Sequence, residues 1–144
     1  MESLERFREA HRRDFAQAYA EIQNGYKETH WMWYIFPQIK GLGKSSAAQY
    51  YAIDDIEEAR EFLGDPYLGD NLRAISKELL RKSTNNAEEI FGYIDAMKLK
   101  SSMTLFHMAG GPSDENRMFY DVLNKYFDGE FDRKTVELVE DGNL

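Results

Sequence analysis

Along this chain apolar residues recur at intervals of three and four, and no stretch alternates convincingly with period two. That pattern confines the fold to packed amphipathic helices, because a strand buries alternate residues whereas a helix buries one stripe. The clearest case is Asp65-Pro66 followed by Leu68, Leu72, Ile75 and Leu79. It combines a capping carboxylate, a proline whose missing N–H is harmless in the first turn, and a single buried stripe ending near Lys82. The same pattern repeats along the chain. Ser3 opens a helix with Leu4, Phe7, Phe15, Ala18 and Ile22 on one side, and Gly25 stops it. Asp54 with Glu57 forms a capping-box pattern for "DIEEAREFL", closed by Gly64. Asn86 with Glu89 repeats it and opens a helical run to Ala109 that breaks or bends near Gly92, before Gly110, Gly111 and Pro112. Ser113 and Asp114 open another helix with Phe119, Val122, Leu123, Tyr126 and Phe127 on its apolar face, and "DRKTVELVE" is a short terminal one. The fold class is all-α, a compact multi-helix domain. With no composition break, residues 1–144 read as one domain.

The segment from His30 to Gln38, "HWMWYIFPQ", resists this simple pattern, since almost every side chain in it is apolar. Thr29 reads as a cap for a short helix through Phe36 that Pro37 ends, and a helix apolar all round belongs at the centre of a domain. A strand is the competing reading. Trp31 and Trp33 suit the core, because indoles bury large areas. One of them facing a cavity would instead offer a ring for a planar ligand, with His30 at the helix start able to exchange a proton. A short helix has two sides, so both can hold.

Charge and composition exclude several functions. Eighteen basic against 26 acidic residues give a net charge of −8 with no basic block, which argues against binding to nucleic acid. Cysteine is absent and the three histidines, His11, His30 and His107, are too far apart for a familiar ligand spacing, so neither a metal nor another cofactor is implied. No apolar run is long enough for a membrane span or a signal peptide, which predicts a cytoplasmic protein with no membrane partner.

Two stretches carry polar groups suited to a site. In "GLGKSS" the phosphate-loop motif fails, because Gln38 stands where its first glycine belongs. A glycine loop with Lys44 and a capping Ser45 suits one anion, or is an ordinary connection. The segment "SAAQYYAI" after it reads as a short helix. In "DAMKLKSSMTLFHMAG", Ile94, Met97, Ser101, Leu105 and Met108 form one stripe and Asp95, Lys98 and Ser102 an adjoining row, while Leu99, Met103 and Phe106 cover the far side. The helix is therefore expected to be mostly buried. Buried polar groups need partners, and Asp95 lies one turn before Lys98. The alternatives are a polar pocket wall, or an exposed ion pair with serines bonded back to the helix. A Ser101–Lys98 nucleophile pair lacks identifiable oxyanion donors. His107 reads as a core or surface histidine.

The succession of "HWMWYIFPQ", "GLGKSS", "EAREFLGDPYLGDNL" and "IFGYIDAMKLKSSMTLF", with the later "VLNKYFDGEFDRKT", resembles domain-of-unknown-function family 1810 from Leu4 to Thr135. Thr29 stands where that family often has serine. Bacterial members have carried the label calpastatin-like, but calpastatin repeats are disordered and this chain has the composition of a packed domain. The resemblance implies an all-helical fold, carries no activity, and marks His30, Trp31, Trp33, Pro37, Gln38, Gly41, Gly43, Ser45, Asp95, Lys98, Ser101, Ser102 and Thr104 as signature positions. A fainter similarity is to small helical N-glycosidases acting on ADP-ribose-type metabolites, whose catalytic residues have no positional match here.

The expected site therefore comprises His30, Trp31, Trp33, Gln38, Lys44, Ser45, Asp95, Lys98, Ser101, Ser102 and Thr104, around a small anionic or planar metabolite. Whether it also catalyses a reaction is open. The rival is a protein-interaction module gripping a partner through Tyr50, Tyr51 or Tyr67.

Overall fold

Each capped stripe becomes a helix in the computed structural model, which describes residues 4–142. The order is α1 (Glu5–Gln23), α2 (Met32–Ile35), α3 (Ser46–Tyr50), α4 (Ile56–Gly64), α5 (Pro66–Leu80), α6 (Ala87–Phe91), α7 (Tyr93–Gly110), α8 (Met118–Phe127) and α9 (Arg133–Gly142), with a 3₁₀ turn at Asp114–Asn116. Among the described residues there is no strand; the nearest approach is a single parallel bridge between Ile39 and Ile53.

The caps explain the boundaries, with several departures from the sequence expectation. Asp65 accepts the N–H groups of Tyr67 and Leu68, as expected. Ser3 lies outside the described residues. At α4 the cap is Asp55 rather than Asp54: Asp55 accepts from the Glu58 N–H, while the Glu58 carboxylate returns to the Asp54 N–H. Consecutive Asp54-Asp55 and Glu57-Glu58 pairs allow either register. At α6, Asn86 caps the Glu88 N–H, but Glu89 bonds the Thr84 hydroxyl instead of closing a box. The aromatic helix α2 has only four residues, and Thr29 does not cap it. The segment from Ser113 opens as the 3₁₀ turn before α8 begins.

Helix α7 occupies the middle, packed against α4, α6, α8 and α9, while α5 lies against α1, α4 and α8. Leu68, Leu72, Ile75 and Leu79 are fully buried, as are Leu99, Met103 and Phe106. The stripe on α7 is only half buried, its exposed part falling in the first turns. Ile94 is 69% and Met97 37% exposed, whereas Leu105 is fully buried. His11 fastens α1 to both α2 and α5. Its Nε2 donates to the Tyr34 carbonyl at 2.8 Å and its Nδ1 accepts from the Asn71 amide at 3.1 Å. Burial pushes this imidazole down to about 4, so it is neutral at neutral pH.

Candidate functional site

Glu21 of α1 decides how the aromatic run sits. Its buried carboxylate accepts from the Trp31 indole at 2.9 Å, the Thr29 hydroxyl at 2.6 Å, the Glu28 and Thr29 backbone N–H groups at 2.7 and 3.0 Å, and Gln17 at 2.9 Å. Burial alone would raise this acid, but the hydrogen bonds from Thr29, Gln17 and the backbone hold it down to about 2. Thr29 is thus recruited away from the cap position, and Trp31 is drawn into the core beside Phe36 and Phe91, with 1% of its surface exposed. Two residues on and inside α2, Trp33 is only half-buried.

Trp33 carries a cation on its ring. The Lys98 ammonium lies 3.9 Å from its ring centroid, bonded to Asp95 at 3.2 Å. Asp95 also bonds Lys27 at 2.9 Å, and the Lys27 ammonium lies 5.0 Å from the Trp31 ring. One carboxylate thus serves two lysines, each set over one of the two indoles.

In front of Trp33 lies a cavity of about 420 Å³ walled by the chain from Gln38 to Gly43 and by Ala48, Gln49, Tyr51 and Ala52. The Ile39–Ile53 bridge sets the two sides of this wall, with the Lys40 N–H on the Ile53 carbonyl at 2.8 Å and the Ile53 N–H on that of Gln38 at 2.9 Å. The glycines in "GLG" serve different needs. Gly41 has φ +109°, a conformation that L side chains rarely adopt, and sits against Leu138 of α9. Gly43 is a matter of space, since a Cβ there would lie 2.6 Å from that of Ala48 and 3.7 Å from the Trp33 ring. The backbone N–H groups from Gly41 to Lys44 find no acceptor among the described residues, and the Gln38 side chain and the ammonium groups of Lys40 and Lys44 find no partner there either.

The expected residues therefore divide. Trp33 and Gln38 line the cavity; Asp95 and Lys98 are not part of its wall but reach it through the Lys98 contact with the Trp33 ring. His30 is exposed, outside α2 and away from the cavity wall, and Lys44 is exposed at the loop's end. Ser45 caps α3 by accepting from the Ala48 N–H at 3.1 Å. Ser101 bonds back to the Met97 carbonyl at 3.2 Å. Thr104 bonds the Lys100 carbonyl and accepts the Asp132 N–H at 2.9 Å, tying down the start of α9. Ser102 is fully buried and its hydroxyl has no partner among the described residues. Lys40, Gln49 and Tyr51 of the wall were not anticipated as pocket residues. A usable signal existed: between Glu28 and Asp54 this acidic chain contains no Asp or Glu at all. Among the described residues no cluster of three His, Asp or Glu side chains could hold a metal, and no helix is long and apolar enough to cross a membrane.

A family model described as "Protein of unknown function (DUF1810)" matches residues 1–139. The crystal structure of the conserved hypothetical protein Rv1873 from Mycobacterium tuberculosis is similar with a TM-score of 0.90 and 40% identity, over 95% of this chain and 96% of that one. No curated protein matches.

Proposed function

The chain belongs to DUF1810, a family of unknown function, so its role has to be argued from its own side chains, and we propose that it binds a small anionic metabolite with a planar part in the cavity before Trp33. The observation that carries this is the make-up of the wall. The residues lining one concavity bring an indole held by a cation, an unpartnered carboxamide, an unpartnered lysine and free backbone N–H groups, without any carboxylate among them. Its volume is in the usual range for metabolite sites. Such a ligand accords with the cytoplasmic location expected from the sequence.

The same wall favours binding over hydrolysis. It offers no Asp, Glu or His, and N-glycoside cleavage calls for a general acid or base within hydrogen-bond reach. A second reading, docking of a protein partner, draws on the exposed Tyr50 and Tyr67 and on Tyr93, Ile94 and Met97 at the start of α7, whereas Tyr51 is half-buried and lines the cavity. Thermal-shift measurements against nucleotides, sugar phosphates and NAD-derived metabolites test the proposal, because a bound ligand raises the melting temperature by mass action. A hit should lose its effect in Lys40→Gln. No shift from any of these anions would refute it.

A further inference from the structure

We infer that the ligand class is a nucleoside monophosphate, with its base against Trp33 and Gln38 and its phosphate at Lys40 and the glycine loop; this rests on the cavity being the anion site proposed above. Trp33 is a prepared platform. Lys98 covers one side of its ring at 3.9 Å and is itself fixed by Asp95 at 3.2 Å, so the indole is braced before any ligand arrives and stacking costs less ordering. A bare phosphate or a sugar phosphate would leave that aromatic surface unused. A nucleobase has a flat face for stacking.

The amide groups at the wall supply what the edge of a base requires. A carboxamide carries a donor and an acceptor side by side, the pairing by which Gln reads the neighbouring donor and acceptor of adenine. Gln38 has both groups free, while its backbone carbonyl is spent on the Ile53 N–H. Gln49 has committed its amino group to the Lys44 carbonyl at 2.8 Å, which leaves its oxygen to accept. Along the same wall, Lys40 and the N–H groups of Gly41, Leu42 and Gly43 find no acceptor among the described residues. These donors suit a phosphate monoester.

The missing carboxylates add a specificity. Proteins that read a ribose diol commonly do so with an Asp or Glu, and none lines this cavity. The sugar should therefore go unread, and ribo- and deoxyribonucleotides should bind alike.

Isothermal titration of the full chain with AMP, GMP, CMP and UMP, alongside ribose 5-phosphate, inorganic phosphate, the free nucleosides and the deoxy form of the best nucleotide, tests this. At least one nucleotide should bind about tenfold or more tighter than both ribose 5-phosphate and its own nucleoside, with the deoxy form within about twofold. Gln38→Leu should weaken the nucleotide without changing ribose 5-phosphate, and Lys40→Gln should weaken both the nucleotide and ribose 5-phosphate without changing the nucleoside. Thermal melts of both variants confirm that they are folded. Equal binding of nucleotide and ribose 5-phosphate would overturn the base assignment while leaving an anion site. Binding of neither would overturn the anion site as well, and strong preference for the ribo form would show a sugar contact that this wall does not contain.

Discussion

Acid should weaken this protein well before its carboxylates titrate, and His11 is the reason. The residue is 1% exposed, with Nε2–H committed to a carbonyl that can only accept and Nδ1 facing the Asn71 amide. A second proton would place a donor against a donor in a site without water-like screening. Held at about 4 against an ordinary 6.5, the folded imidazole refuses a proton that the unfolded chain accepts. Its contribution is therefore fully present above 6.5 and is lost as pH falls toward 4. Between about pH 7.5 and about pH 5 the loss comes to about 2 kcal/mol. Glu21 adds little in that window, because its stabilisation is lost only as pH falls from 4.5 toward 2. His107, half-buried and likewise lowered by burial, acts in the same direction and is removed as His107→Gln for a control. Urea unfolding at the two pH values gives the change directly from the midpoints at constant m. The variant His11→Gln can still donate to Tyr34 and accept from Asn71, so it should fold and lose most of the pH dependence. A parent protein equally stable at both pH values, or a His11→Gln variant as acid-sensitive as the parent, would refute the assignment.

Three further outcomes follow from the site. Trp31→Ala should cost roughly 3–5 kcal/mol of stability in denaturant unfolding, while Trp33→Ala should cost much less and act on ligand response. Glu21→Gln sets an amino group among donors and should cost on the order of 1–3 kcal/mol, and it should flatten the further loss of stability below the ordinary carboxylate range. Lys98→Met should leave the melting temperature near that of the parent and weaken binding of any anionic hit, and Lys98→Arg, which can still cover the indole and reach Asp95, should restore it.

How much of this was legible depends on how local the cause is. The cap of α5 and its stripe lie within one short stretch of chain, so Asp65, Pro66 and the four buried aliphatics could be read directly. The division of labour between Trp31 and Trp33 could not, because it is set by Glu21 on another helix and by Lys98 on a third. Thr29 looked like a cap for the same reason: its sequence neighbours allow one, but the carboxylate of Glu21 competes for its hydroxyl and wins. Ser101 and Thr104 suggested a polar pocket and instead bond backbone carbonyls on α7, as hydroxyls on buried helices commonly do. The cavity wall was least legible, since it is mostly irregular chain held by one bridge and carries no period.

The charge of the cavity is the remaining puzzle, in a protein with eight more acidic than basic groups. Composition spoke against binding to extended phosphate polymers, and that argument concerns the whole surface. A small anion meets only the local potential, within roughly one Debye length of about 8 Å at physiological salt. There the chain does not accumulate lysines; it withholds acids from Glu28 to Asp54, so that Lys40 and Lys44 act without ion-pair partners among the described residues. The Lys27–Asp95–Lys98 group adds to this, since one carboxylate between two ammonium groups leaves one positive charge uncompensated beside the indoles. Placing lysines partly inside a protein is costly, and a purely structural role could be filled by apolar side chains at lower cost. In the binding mode proposed above, an excess of positive charge kept there would give the braced Trp33 its electrostatic sense, suiting it to a ligand that is both flat and negative.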